Sequence, residues 1–87
     1  MRLRKGRSYY NVPDVGYVYT FKVFVGGNEY PLDILSQPDF LQERQKAPDV
    51  RGRPVYAAVV RGSVHVFPTP DIDYLAYLLY APRPKTL

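Results

Sequence analysis

Hydrophobic and polar positions alternate most clearly in "GYVYTFKVFV" (16–25), where Tyr17, Tyr19, Phe21, Val23 and Val25 interleave with Val18, Thr20, Lys22 and Phe24. A period of two among β-branched and aromatic residues predicts a strand. Only Thr20 and Lys22 are polar, so this strand is expected to be covered on both faces or to meet a partner with one of them. "GGN" (26–28) predicts a turn, because glycine enters positive φ without steric cost. "EYPLDIL" (29–35) predicts a return strand, placed at an edge or bulge by Pro31, which has no N–H to donate. "VYAAVV" (55–60), "RGS" (61–63) and "VHVF" (64–67) read as a β-hairpin. "YLAYLLY" (74–80) is a last strand, with Tyr74, Ala76, Leu78 and Tyr80 on one face and Leu75, Tyr77 and Leu79 on the other. Its two faces are both apolar.

The only helical pattern is "SQPDFLQERQK" (36–46). Ser36 is placed as N-cap, Pro38 in the first turn and Asp39 as in a capping box; Lys46 suits the C-terminal end and Pro48 stops the helix. Its apolar content is Phe40 and Leu41, which predicts a lid held by one or two anchors. Four or five strands and one short helix give a mainly β domain, a small sandwich or barrel. The expected organisation is a basic N-terminal arm over 1–7, one β domain over 8–82 and a C-terminal tail over 83–87, both ends extended.

Size sharpens this picture. The chain has 87 residues, and a chain so short buries roughly 60–65% of its unfolded surface. There is no cysteine, so neither a disulfide nor a thiolate metal site supplements the core. Association with other copies is the common remaining route to more burial. No apolar stretch is long enough to span a membrane, and no apolar signal core follows "MRLRKGRSYY", so a cytosol-like compartment is expected.

The net charge of +4 has one origin. Of twelve Lys and Arg, four are Arg2, Arg4, Lys5 and Arg7, which leaves eight against eight acidic residues in the body. A clustered basic block fits contact with nucleic acid or an acidic protein surface. Beside it stand Tyr9 and Tyr10, a combination used on single strands. The sheets, however, carry few bases, Lys22 and Arg61 among them.

Catalytic chemistry finds little support. His65 is the only histidine, and a strand position without an evident acid partner reads as packing. "VGGNEY" has no helix after its glycines, so it is no phosphate loop. Asp71 and Asp73 after "PTP" read as turn residues. No metal or cofactor is expected. The remaining class is an assembly subunit: Pro68 and Pro70 fix an extended approach to strand 74–80, and Pro82 and Pro84 stop it. Tyr74, Tyr77, Tyr80, Pro82 and Pro84 are the expected interface residues.

These motifs together resemble the C-terminal β region of bacteriophage head–tail adaptor and tail-tubular (neck ring) proteins. Leu32 and Ser36 match the approach to the family's short helix. Gly52, Pro54 and Tyr56 match the start of its hairpin, and Pro68, Pro70, Asp71 and Tyr74 match its turn into the closing strand. Tyr80 and Pro82 are close to the closing pattern, with one residue fewer between them, and "SYYNVP" (8–13) suits the lead-in. The likeness runs over about residues 30–84. It implies a non-enzymatic virion structural subunit, present as copies in a ring and touching portal and tail proteins, with packaged DNA met non-specifically. It would sit at the head–tail junction or tail, and in host cytoplasm before assembly. The family's N-terminal helical portion has no counterpart in the pattern of residues 1–7, so the expectation is a reduced version, a separate small ring or tail component, or an unrelated chain sharing the β pattern; docking through Arg2, Arg4, Lys5 and Arg7 of the basic arm would be one substitute for it. The alternative is a small β domain binding nucleic acid or a host protein through that arm and the aromatics.

Overall fold

The computed structural model describes residues 1–83. Along the chain run β1 (Arg2–Leu3), β2 (Tyr9–Asn11), β3 (Val15–Val25), β4 (Asn28–Pro31), β5 (Asp33–Ile34), α1 (Gln37–Lys46), β6 (Arg51–Gly52), β7 (Tyr56–Val60), β8 (Ser63–Phe67), β9 (Thr69–Pro70) and β10 (Tyr74–Pro82). The fold is mainly β with one short helix, as the alternation predicts, and its sheets do not close into a barrel.

One sheet has the order β1-β10-β3-β4 and a second the order β2-β8-β7-β5; β6 and β9 form a short parallel pair. The two larger sheets face each other across one core. Leu3, Val18, Phe21, Val23, Tyr74 and Ala76 enter it from the first sheet, and Tyr10, Ala57, Val64 and Val66 from the second. The opposite face of the second sheet presents Ala58 and Phe67 to Phe40 of α1, with Tyr56, Val60 and Leu35 around them. Alternation along β7 and β8 thus feeds two apolar layers in turn. The layers run first sheet, core, second sheet, helix. Nothing among the described residues covers the outer face of the first sheet.

Two tight loops set the registers. Val25 pairs Asn28 around Gly26 and Gly27, both at positive φ, and Val60 pairs Ser63 around Arg61 and Gly62, again both at positive φ. Paired positive φ is the loop geometry whose twist matches that of the flanking strands. In the long β3–β10 ladder the register slips twice, between Leu79 and Tyr80 and between Ala81 and Pro82. The surplus residues, Tyr19 and Gly16, lie on β3 (bulges, which deepen the local twist). At the second slip a Cβ on Gly16 would lie 2.9 Å from the backbone of Arg83 and from the Pro82 carbonyl. Glycine is what lets the end of β10 cross β3 there, and the Arg83 N–H donates to the Asp14 carbonyl at 2.6 Å.

The helix starts and ends as the sequence predicts, with one difference. Ser36 occupies the N-cap with extended backbone, but its hydroxyl makes no capping bond. The segment "PTP", expected only as an extended approach to the last strand, also pairs: Thr69 and Pro70 lie beside Arg51 and Gly52. The Thr69 N–H donates to the Val50 carbonyl at 3.3 Å and the ladder asks no donor of either proline, so proline is tolerated.

The largest departure is at the N-terminus. Residues 1–7 are no detached arm. Arg2 and Leu3 pair with Leu75 and Tyr74 of β10, and the Leu3 side chain is completely buried. The Gly6 N–H donates to the Pro70 carbonyl at 2.9 Å. A single leucine among four bases is enough to tie the segment to the core, because burying it is worth about 1.5–3 kcal/mol and the charged heads stay in water around it. Of the expected tail over 83–87, Arg83 is described and residues 84–87, including Pro84, lie outside the described residues.

Candidate assembly surface

The uncovered face of the first sheet is built by alternation in β10 and β3. In β10, Tyr74 and Ala76 point into the core, so Leu75, Tyr77 and Leu79 point out. They are 58%, 46% and 47% exposed. In β3 the partners facing out beside them are Phe24 opposite Leu75, Lys22 opposite Tyr77 and Thr20 opposite Leu79. The bulge at Tyr19 gives that face an additional aromatic ring, and Tyr17 lies 5.0 Å from it, centroid to centroid, in an edge-on arrangement. Both tyrosines are the most exposed of the large apolar side chains among the described residues, 61% and 60%. The Lys22 ammonium sits over the rings of Phe24 and Tyr77 at 5.9 and 5.4 Å and bonds to Glu29 at 3.2 Å. Such cation–π contact keeps the lysine stem flat on the sheet. The result is a contiguous aromatic and aliphatic surface with a single ammonium in it, the kind of patch that marks an interaction face.

Of the expected interface residues, Tyr77 lies squarely on this face, and Tyr80 and Pro82 are exposed at the end of β10. Tyr74 does not belong there. It is buried, and its phenol donates to Asp71 Oδ1 at 2.5 Å. Burial, followed by that bond and the Asp71 charge, pushes its pKa up to about 12. The reason is parity: both faces of β10 are apolar in sequence, and the inward one is the face carrying Tyr74. Leu75, Leu79, Tyr17, Tyr19 and Phe24 complete the surface; alternation in the sequence groups Leu75 and Leu79 with Tyr77, but it sets Tyr17 and Tyr19 on the face opposite Phe24, and the bulge at Tyr19 is what brings them to one side.

The basic residues are fixed against the body. Arg4 reaches Asp73 at 3.8 Å, and the Lys5 N–H donates to Asp73 Oδ1 at 2.8 Å. Arg7 donates from Nε to the Tyr9 carbonyl and lies over the rings of Tyr9 and Tyr10 at 5.6 and 5.3 Å. Tyr10 in turn bonds to the backbone of Arg4 and Arg7 through its phenol, and burial raises that phenol's pKa. Arg2 is exposed beside Leu75 at the rim of the apolar face. Asp71 and Asp73 are thereby both engaged in holding the turn before β10.

A second concave feature is an open cleft of about 430 Å³ between α1 and the β7–β8 hairpin, lined by Tyr9, Leu41, Arg44, Arg61 and His65 among others. His65 stacks on Tyr9 at 5.8 Å and meets the edge of Phe40 at 6.2 Å. Burial and then the Arg44 charge lower its pKa, and its Nδ1 has no partner. The lining contains no carboxylate, and Ser63 spends its hydroxyl on Asn11 Oδ1.

No protein-family model, no curated protein and no solved structure matches this chain. The fold and its surfaces define a small two-sheet β domain with one open apolar face.

Proposed function

We propose that the chain is a non-enzymatic structural subunit of a bacteriophage head–tail connector, present as copies in a ring. The observation that carries this reading is the outer face of the first sheet, where Tyr17, Tyr19, Leu75, Tyr77 and Leu79 are all about half or more exposed. A domain of 10.0 kDa that leaves these side chains in water gains by packing them against another protein surface, at about 25 cal/mol for each Å² of apolar area covered. The motif likeness over residues 30–84 supplies the particular setting, and it implies no active site. In that setting the apolar face makes the lateral contact between neighbours.

The test is mass, in solution and in particles. The purified chain is expected to form multimers at high concentration and to be present in virions. Leu75→Glu and Tyr77→Lys, both outward on the sheet, are expected to abolish the ring-sized multimers with an unchanged circular dichroism spectrum. A wild-type chain that stays monomeric at high concentration and is missing from virions overturns the reading.

A further inference from the structure

The first sheet has two edges, and they are unlike. At one edge is β4, where Asn28 and Tyr30 turn their backbone groups to β3, leaving Glu29 and Pro31 to face outward. Proline has no N–H, and Glu29 is charged, so that edge is blunted in the manner of protected sheet edges. At the other edge β1 covers only the beginning of β10. The Ala76 N–H donates to the Met1 carbonyl at 2.8 Å, and the Met1 amino group donates back to the Ala76 carbonyl at 3.1 Å. Beyond that point β1 has ended.

In an antiparallel ladder the direction of backbone groups alternates. Ala76 faces β1, so Leu78 and Tyr80 also face away from β3, into the space where β1 is missing. Among the described residues no strand pairs with this edge of β10 past Leu75. Residues 76–82, "AYLLYAP", carry no charge and no glycine. None of the usual protections of an exposed edge is present until Pro82.

We infer that the open edge of β10 pairs antiparallel with the same edge of a second copy, with Tyr80 on the two-fold axis. Two obstacles fix the register. Met1 already occupies the place opposite Ala76, and β10 ends at Pro82. With Tyr80 opposite Tyr80 of the second copy, each donates its N–H to the other's carbonyl, and each Leu78 N–H donates to Pro82 of the second copy, which needs only its carbonyl for that bond. A register shifted by two residues toward Ala76 would drive Pro82 of the second copy into Met1. The pairing joins two first sheets into one and places Leu79 opposite Ala81 of the second copy. It rests on the reading of this chain as a subunit that works in copies, but it uses a different surface. A two-fold contact closes on itself, so it belongs to the free protein and leaves ring contacts to the apolar face.

The absence of native cysteine makes the test direct. Residues opposite one another between hydrogen-bonded pairs have Cα atoms about 4.5 Å apart, within the range a disulfide spans. Chains carrying Leu79→Cys and chains carrying Ala81→Cys, mixed and mildly oxidised, are expected to form a disulfide-linked dimer, while either alone does so far less. Tyr80→Pro, added to both, removes an outward N–H from each copy without touching the β3 ladder. With two bonds lost, the yield of linked dimer is expected to fall roughly tenfold. Circular dichroism verifies that the proline variant folds, and should it not, the cysteine mixture alone decides. No linked dimer in the mixture, equal linking by Leu79→Cys alone, or linking unaffected by a folded Tyr80→Pro variant overturns the proposal. Leu75→Glu leaves this edge intact, so linking that survives it while multimers vanish separates the edge pair from the ring contact.

Discussion

At the scale of single residues, the environment decides what a tyrosine does here. Tyr74 and Tyr77 are three apart on one strand and look equivalent in the sequence, yet one is a core residue and the other lies on the open face. The consequence can be measured through pH. Tyr74 keeps its proton in the folded chain up to about 12, whereas an unfolded tyrosine loses it near 10. Below about 10 both states hold the proton and the pH dependence vanishes; above it the unfolded chain releases a proton that the folded chain retains, so stability is lost as pH rises toward 12. Urea midpoints taken between neutral pH and pH of about 11.5 are expected to decline on this limb. Tyr74→Phe is expected to flatten it, leaving the smaller contribution of Tyr10, whose phenol is also raised by burial. At neutral pH the same substitution costs about 0.5–1.5 kcal/mol for the lost bond to Asp71. An unchanged alkaline limb in the phenylalanine variant would remove Tyr74 from this role.

At the scale of elements, long alternating runs were readable and short pairings were not. The strands now seen as β3, the β7–β8 hairpin and β10 each carry enough β-branched and aromatic residues in period two to declare themselves, as does the Ser36-to-Pro48 bracket around α1. Strands β1, β5, β6 and β9 have two residues each, too few for any period; β1 and β5 exist because a longer neighbour offers its edge, and β6 and β9 because the fold brings the two short segments side by side. Which face of β10 turns inward was also illegible, since Leu75, Tyr77 and Leu79 are as apolar as their alternates. The helix is the clearest case of an element held from outside itself. Its own apolar content is slight, and Phe40 is its only buried side chain. That ring covers Ala58 and Phe67 on the second sheet. Phe40→Ala is therefore expected to cost about 3–5 kcal/mol, read as a lower urea midpoint, with loss of helical signal preceding loss of the sheet. Leu41→Ala, at a side chain 37% exposed on the rim of the cleft, is expected to cost far less. Equal costs at the two positions would mean that the helix is not anchored through Phe40.

At the scale of the whole molecule, the N-terminal segment is both charge and structure, and the two roles call for different variants. Deleting residues 1–7 removes four positive charges, but it also removes Leu3 from the core, strips β1 from β10 and takes the backbone partners of the Tyr10 phenol. Such a deletion is expected to destabilise or unfold the domain, so a loss of nucleic-acid retention in it would say nothing about charge. Arg2→Gln, Arg4→Gln and Lys5→Gln combined are the informative change, because all three side chains are exposed and the one ion pair among them, Arg4 with Asp73 at 3.8 Å, is of the surface kind worth about 1 kcal/mol or less. Retention on DNA that depends on these charges must weaken with salt, since each phosphate contact releases counterions. The triple variant should then bind less tightly and with a shallower salt slope, while its urea midpoint stays near that of the parent. Association through the outer face of the first sheet responds in the opposite way, being apolar and insensitive to the three charges. A triple variant that still forms multimers and loses only salt-sensitive DNA binding would assign assembly to the sheet and DNA contact to the N-terminal segment. Loss of multimers in that variant would place the assembly contact at Arg2, Arg4 and Lys5 instead of the aromatic face.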